Sequence, residues 1–326
     1  MTQPLWMNFQ HPYVRDLAWL LLSPSLIDQT LGEFSAYHPC PSPESQADLV
    51  NWLRSVDADI AANDIIPTGI DRQRFRRLGL YCESLFNFYL ENSPEEKNKV
   101  YKNFRAQGEK QTIGECDFII ANAKPYLTHI EIAVKFFLQT ASGEREWHSW
   151  VGPNAIDRLD IKLERMRTHQ LPLPQRKDTE AIFLNLKNEN EKREEIESLH
   201  FIKGVLFTPF NGNLITKLPE NTNPNLLHAR WIKISEFLDI VPSSESAFTS
   251  CDKMEWLTGP ENHNTDGADA VINQIRSIYE CAQKERKVAP GLMIWLHHPH
   301  EKDKEQTRLM IVPDCWPEIK SPLHRN

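Results

Sequence analysis

The sequence predicts an α/β fold in which a mixed β-sheet is flanked by helices. Apolar residues recur at helical spacing near the N-terminus, and runs rich in β-branched and aromatic residues fill the middle of the chain. Towards the end of the chain the two patterns are mixed. The chain has 326 residues, enough for two domains or one elaborated domain. We therefore predict a helical segment over 1–69, an α/β core over 70–215 and an α+β region over 216–326.

The N-terminal part is predicted to be helical. A first helix spans His11 to Leu22 and is ended by Ser23-Pro24, and a second spans about Ser45 to Ala61. A third helix is expected from about Asp71 to Leu90, basic in its first part and aromatic in its second. These helices are expected to pack on the core.

Strands dominate the middle of the chain and return near its end. The predicted strands lie at about 100–105, 114–120, 126–138, 202–207, 227–234, 254–257, 291–297 and 308–312. Amphipathic helices are predicted from about Ala155 to Gln170 and from Ala268 to Arg286. The charged span 187–197 is expected to be a solvated helical face or an excursion from the fold. This order of elements indicates a sheet with helical connections.

Composition and charge exclude several classes of protein. Hydrophobic residues make up 40% of the chain and charged residues 25%, which excludes a disordered chain or a coiled-coil rod. The apolar runs are too short to span a bilayer. Six scattered cysteines without a CxxC pair, together with no recognisable signal peptide, predict a cytoplasmic protein. A net charge of −8 means that any contact with phosphates must come from a local basic patch.

Acidic residues fall on the middle strands in an unusual pattern. Glu115 and Asp117 are two residues apart and are expected on the same face of one strand. Glu131 lies inside an otherwise apolar strand, with Lys135 on its face, and Glu83 interrupts an aromatic helix. Burying such a charge costs several kcal/mol unless it is paired or bound to metal. The pattern therefore predicts a site.

Acids that converge from a helix and two strands, with a lysine nearby, suit a magnesium or manganese site. Carboxylate oxygens are the ligands of these ions, and a bound ion can generate hydroxide and stabilise charge at a phosphodiester. The lysine would orient the attacking water or neutralise charge. The alternative is structural: the strand acids pair with Lys135 or Arg158, Glu115 orients the glycine turn before it, and Glu83 pairs with an arginine between 74 and 77.

The helix that follows these strands carries a basic stripe. The stripe consists of Arg158, Lys162, Arg165 and His169. As a surface that contacts phosphates, it would position nucleic acid without reading its sequence. The alternative is a solvated helix face that binds nothing.

Several passages resemble a known family. They are Leu17-Ala18-Trp19-Leu20, Gly114-Glu115-Cys116-Asp117-Phe118, His129 through Phe136, Gly152-Pro153-Asn154 through Leu171, and Ile311 through Pro317. Together they resemble the bacterial DUF1853 family, which is assigned to the PD-(D/E)XK nuclease-like superfamily. The resemblance spans nearly the whole chain and implies a restriction-endonuclease-like core over residues 70–215.

The resemblance also implies roles for individual residues. Glu83 corresponds to the helix acid, Asp117 to the central metal ligand and Glu131 to the second strand acid. Glu115 is a further ligand candidate because it shares a strand face with Asp117. The superfamily's lysine falls two residues after the second acid, where this chain has Ala133. Lys135 or Lys162 would have to replace it. Gln170 resembles the glutamine that RecB-like nucleases carry on this helix, and we include it in the nucleic-acid-binding set.

The sequence thus predicts a metal-dependent nuclease that hydrolyses phosphodiester bonds of DNA or RNA. The alternative is a catalytically degenerate nuclease fold that binds nucleic acid or a protein partner, which the departure at Ala133 favours. In either case, nucleic acid is expected to bind through the basic helix. A protein partner could bind through the C-terminal region, and no membrane contact is predicted.

Overall fold

The structure of the chain is a computed structural model. It describes residues 4–27, 30–94, 99–108, 111–121, 126–140, 146–184, 186, 195–210, 218–219, 221–240, 247–260, 268–284, 291–297 and 307–318.

Helices and strands occur in the expected order, with several different boundaries. Within the described residues the helices are α1 (Pro12–Leu22), α2 (Pro43–Asn63), α3 (Leu78–Asn92), α4 (Leu159–Arg165), α5 (Glu180–Leu184), α6 (Ile234–Ile240) and α7 (Ala268–Lys284). The strands are β1 (Thr30–Leu31), β2 (Phe34–Ala36), β3 (Lys99–Gln107), β4 (Thr112–Ala121), β5 (Tyr126–Gln139), β6 (Trp150–Val151), β7 (Glu195–Pro209), β8 (Leu227–Lys233), β9 (Ala247–Cys251), β10 (Leu292–His297) and β11 (Thr307–Val312).

All of these strands join one mixed sheet. Its main order is β3-β4-β5-β7-β8-β11-β10-β9, with β6 on β5 and the β1-β2 pair attached to β7. The four central strands β5, β7, β8 and β11 are parallel to one another. At each end of the sheet the strand pairs are antiparallel. The predicted mixed sheet flanked by helices is therefore confirmed. It continues from the predicted core segment into the C-terminal region without a break.

Each face of the sheet is covered by helices. Alternate residues of β5 enter different hydrophobic clusters: Ile132 packs with α1, α2 and α3, whereas Ala133 packs with α4. Beneath α6 and α7, Ile232 and Ile294 belong to a third cluster. This alternation is what the period of two along a strand requires, and it places α3 and α4 on opposite sides of β5.

The third predicted helix begins later than expected. Residues Arg72–Arg74 form a separate 3₁₀ turn, in which the Asp71 side chain accepts a hydrogen bond from the Gln73 amide. The helix itself begins at Leu78. The cause is tertiary, because the Arg72 side chain is drawn into the interior by an ion pair with Asp16.

The helix predicted from Ala155 also begins later, at Leu159. Ala155 has a φ of 55°, a left-handed conformation that a helix cannot include. After Arg165 the helix continues as a π-helical turn, Met166–Gln170. π-Helical turns are rare and are frequently found at functional sites.

Two further predictions were wrong. The strand expected at 254–257 is a 3₁₀ turn, Lys253–Glu255, capped by Asp252, and the strand lies before it at β9. Part of the charged span predicted to be a solvated helical face, Glu195–Glu197, instead begins β7. The rest of that span, 187–194, lies outside the described residues.

A buried polar cluster joins distant parts of the chain. Asp16 on α1 is fully buried. It accepts hydrogen bonds from the Tyr81 hydroxyl (3.0 Å) and the Thr258 hydroxyl (2.6 Å), and it pairs with Arg72 (3.4 Å). Arg72 also contacts Glu255 at 3.3 Å. We call these five residues the Asp16 cluster; they connect α1, α3 and the C-terminal region.

Candidate active site

The site lies where strands β4 and β5 separate. Their backbone pairing ends with Phe118 opposite Ile130. Beyond this point the Asp117 carboxylate accepts a hydrogen bond from the Ile132 amide (3.0 Å), and the Asp117 amide donates to Glu131 Oε1 (3.3 Å). Side-chain carboxylates thus take the place of strand-to-strand hydrogen bonds, and one edge of β5 is left open.

A cleft of about 440 Å³ opens beside this edge. Strand β5 forms its floor, and the N-terminal half of α3 and the helix α4 form its walls. The lining residues that carry charge are Glu83, Lys135, Asp157, Arg158, Lys162 and Arg165. Two exposed isoleucines, Ile156 and Ile161, lie at its rim.

Glu131 is fully buried and is held by neutral donors. Its Oε1 contacts His129 Nε2 at 2.9 Å, in addition to the Asp117 amide. Its Oε2 accepts a hydrogen bond of 2.6 Å from the Gln170 side-chain amide. No lysine or arginine of the described residues forms an ion pair with Glu131, so the structural alternative of a salt bridge to Lys135 or Arg158 is not what holds this acid in place.

Lys162 reaches the acids through Gln170. Lys162 Nζ donates to Gln170 Oε1 at 2.9 Å, and Gln170 in turn donates to Glu131. Gln170 ends the π-helical turn, eight residues after Lys162, and the two side chains still meet in a hydrogen bond. The amide therefore orients the lysine and the carboxylate together.

Burial and mutual charge disturb the titration of these groups. Burial raises the pKa of Asp117, and the charge of Glu131 raises it further. Burial likewise raises the pKa of Glu131. Burial lowers the pKa of Lys162; the charge of Glu131 opposes this shift and that of Lys135 adds to it. Such opposed shifts in one cleft are typical of functional sites.

His129 is held as a neutral imidazole behind the cleft. Burial lowers its pKa to about 4. Its Nδ1 lies 3.0 Å from the Ser198 hydroxyl, and its Nε2 faces Glu131. Because the Glu131 carboxylate can only accept, the proton belongs on Nε2, and Ser198 donates to Nδ1.

Of the remaining predicted site residues, Glu83 and Lys135 line the cleft and Glu115 does not. Glu83 lines the cleft and has no hydrogen bond or ion pair to any described residue; burial, and then the charge of Asp117, raises its pKa. Lys135 lines the same cleft. Glu115 instead forms a largely exposed ion pair with Arg105 at 2.7 Å, so it lies apart from Asp117 and Glu131.

The four residues of the basic stripe do not form one surface. Lys162 turns inwards, where it contacts Gln170, whereas Arg165 lines both the cleft and a second groove on the far side of α4. His169 lies in that second groove, 2.6 Å from the Thr168 hydroxyl. Arg158 forms a two-point ion pair with Asp160, at 3.0 and 2.5 Å.

Sequence reasoning missed three residues of this region: His129, Ser198 and Cys116. His129 has a detectable signal, because it lies two residues before Glu131 and shares its face. Ser198 has none, because it comes from a parallel strand 69 residues away.

Fold and site define a mixed α/β protein with an acid- and lysine-lined cleft where two strands of its sheet separate. Within that class, the chain belongs to the DUF1853 family. The family model, described as "Domain of unknown function (DUF1853)", matches residues 15–312. The resemblance seen in the sequence is thereby confirmed for the family. No curated protein and no solved structure matches the chain. Within the described residues, none of the helices combines the length and the apolar character needed to cross a bilayer.

Proposed function

We propose that the chain is a metal-dependent phosphodiesterase with a restriction-endonuclease-like core, acting on DNA or RNA at the cleft beside β5. The observation that carries the proposal is the connected series Asp117–Glu131–Gln170–Lys162. It joins two strand acids to a helix lysine at the opening between β4 and β5. The proposal thus keeps the superfamily assignment that the sequence motifs imply.

The donor set suits a hard divalent cation such as Mg²⁺ or Mn²⁺. Asp117 uses one carboxylate oxygen for the Ile132 amide, and the carboxylate of Glu83 accepts no hydrogen bond from a described residue. Oxygen donors of this kind are the ligands that these ions prefer. Asp117 and Glu131 would hold the ion and Glu83 would complete its surroundings. When bound, the ion would supply a nucleophilic hydroxide and neutralise phosphate charge.

Lys162 is the better candidate to replace the lysine that Ala133 cannot supply. Ala133 is buried against α4 and has no polar atom in its side chain. Lys162 comes from α4 and is held one hydrogen bond from Glu131 through Gln170. Its lowered pKa favours proton exchange with a water in the cleft. Lys135 would serve as a second positive charge for the phosphate.

Arg165 offers a route for the nucleic-acid backbone across α4. Its side chain lies between the cleft and the second groove, which His169 also lines. Arg158 is less available, because Asp160 already occupies its guanidinium at two points. The phosphate contacts are therefore assigned to Arg165 and His169 first.

The competing function is a binding module without catalysis. Buried Ala133 favours it, because the strand position that normally carries the lysine is closed by the packing of α4. The exposed side chains of Ile156 and Ile161 at the rim of the cleft would then contact a protein partner. Metal binding separates the two functions, since such a module has no need of Mg²⁺.

The test is cleavage of labelled single-stranded, double-stranded and structured DNA and RNA, in Mg²⁺ or Mn²⁺ and in EDTA. Wild type is compared with Asp117→Ala, Glu131→Ala and Lys162→Met. We expect metal-dependent cutting that falls by 100-fold or more in each variant, an order of magnitude typical for metal and acid–base groups.

Glu115→Gln is the matched control, because this acid is two residues from Asp117 but pairs with Arg105 outside the cleft. It should retain cleavage. No cutting of any substrate, together with no stabilisation by Mg²⁺ or Mn²⁺, would support the binding module instead.

A further inference from the structure

A second cluster of ligating side chains lies behind the cleft. The ligand atoms of Cys116, His129 and Glu131 all lie within 4.8 Å of one another, and the three residues are buried. Within the described part of the chain, no other trio of cysteine, histidine or acidic side chains comes together in this way. The cluster combines a thiol, an imidazole and a carboxylate, which is a different chemistry from the oxygen donors of the cleft.

An irregularity in two strands turns Cys116 towards this cluster. Cys116 and Ile119 pack in the same hydrophobic cluster, although a regular strand would place residues three apart on opposite faces. The alternation of side chains between the two faces of β4 is therefore broken between Cys116 and Ile119. On the neighbouring strand β3, Asn103 has a φ of 52° and lies at the same level. Strict alternation in the sequence therefore hides this contact.

A change of tautomer would make His129 a metal ligand, and its hydrogen-bond partner Ser198 allows that change. A metal on Nε2 requires the ring proton to move to Nδ1, and the Ser198 hydroxyl, 3.0 Å from Nδ1, can rotate to accept it. Histidines that bind metals usually donate their other ring N–H to an oxygen in this manner. Ser198 is thus an independent observation in support of a ligand role.

We propose that Cys116, His129 and Glu131 form a binding site for a transition-metal cation of the Zn²⁺ type. A thiolate and an imidazole select such ions over Mg²⁺. On binding, the Cys116 thiol releases its proton to solvent. One thiolate and one carboxylate then balance the two positive charges, which is the condition for burying an ion at low cost.

The inference goes beyond the proposed function and does not depend on it. Glu131 belongs to both sites: its Oε1 faces His129, and its Oε2 faces Gln170. A Glu131 variant would therefore affect both sites. Cys116 belongs to the buried cluster and Ser198 contacts His129. The proposed function gives neither residue a role, so their variants test this proposal alone.

The experiment uses the full-length chain, stripped with EDTA and dialysed. Co²⁺ is titrated in, and the thiolate-to-cobalt charge-transfer absorption is recorded. Zn²⁺ is then added as competitor, and bound zinc per chain is measured by elemental analysis. We expect one Zn²⁺ per chain, which abolishes the cobalt absorption. Cys116→Ser should lose the absorption, and Ser198→Ala should weaken zinc binding by about 10–100-fold.

Cys82→Ser is the matched control, because Cys82 is another buried free cysteine close to the cleft. It should keep the absorption. Wild type without a thiolate band, or a band that survives Cys116→Ser, overturns the proposal. If Cys116→Ser does not fold, Ser198→Ala decides: zinc affinity within twofold of wild type overturns it. An intact band without Mg²⁺-dependent cleavage would contradict the proposed function and leave the zinc site standing.

Discussion

Two buried carboxylates in this molecule are stabilised in opposite ways. Asp16 and Glu131 are both fully buried. Asp16 contacts the Arg72 guanidinium and two hydroxyl groups, whereas Glu131 contacts only neutral donors and has the acid Asp117 beside it. The Asp16 cluster contains its own counter-charge. Within the described residues, the pair Asp117–Glu131 has no cation in direct contact, since Lys162 reaches Glu131 only through Gln170; in the proposed function a bound metal ion would supply that charge.

The largest expected effect comes from removing the counter-charge of Asp16. Arg72→Met should lower the free energy of unfolding at pH 8 by about 3–5 kcal/mol, because it leaves a buried carboxylate without its counter-charge. Urea denaturation followed by circular dichroism measures this. Arg105→Met breaks the exposed pair with Glu115 and should cost less than about 1 kcal/mol. Equal losses in the two variants would show that the buried ion pair of the Asp16 cluster contributes no more to stability than an exposed ion pair does.

The next effect is a dependence of stability on pH. Burial raises the pKa of Asp16 from 3.8 to about 6, against the opposing effect of Arg72. Between about pH 4 and pH 6 the folded chain keeps a proton that the unfolded chain has lost. The resulting stabilisation is fully present below pH 4 and disappears as the pH rises through 6.

That shift corresponds to about 3 kcal/mol. The free energy of unfolding of wild type, measured relative to Asp16→Asn in urea titrations across this interval, should therefore fall as pH increases. Asp16→Asn is the appropriate reference because asparagine does not titrate. A difference that rises with pH, or stays constant, would contradict the assignment.

The smallest effect has the opposite sign and belongs to the cleft. Asp117→Asn should raise the free energy of unfolding in EDTA at pH 8 by about 1 kcal/mol, because it removes repulsion from Glu131 and keeps an acceptor for the Ile132 amide. Mg²⁺ should raise the melting temperature of wild type but not that of the variant.

Asp178→Asn is the control for this substitution, because it changes an exposed acid that pairs with Arg176. Its effect should stay within about 0.5 kcal/mol. A loss of more than about 1 kcal/mol in Asp117→Asn would place Asp117 with Asp16, as an acid that supports the fold.

Much of the fold could be predicted from local patterns. The helix at Pro12–Leu22 and the strands β4, β5, β10 and β11 follow from apolar periodicity and from proline and glycine at their ends. The predictions failed where a distant contact intervened. Local patterns predict Arg72 inside a helix, but its ion pair with Asp16 holds it in a separate 3₁₀ turn. They predict Trp256 in a strand, but it is buried at the end of a 3₁₀ turn that follows β9.

The candidate site was predictable in its acids but not in their partners. Asp117, Glu131 and Glu83 are recognisable because a charge inside an apolar strand or helix is expensive and needs a reason. Sequence spacing could not choose between Lys135 and Lys162. In the structure, Lys162 is linked to Glu131 through Gln170. Spacing also gave no indication that Glu115 would pair with Arg105.

The sequence by itself determined which strands carry acids and on which face Glu131 lies, because side-chain direction alternates along a strand. Only the tertiary structure decided what meets those acids. The separation of β4 from β5, the turn of Cys116 towards His129 and the position of Gln170 on its π-helical turn become visible only when these segments are placed against one another. A local pattern of residues cannot encode the distance between such segments, and that distance decides which neighbour reaches a buried charge.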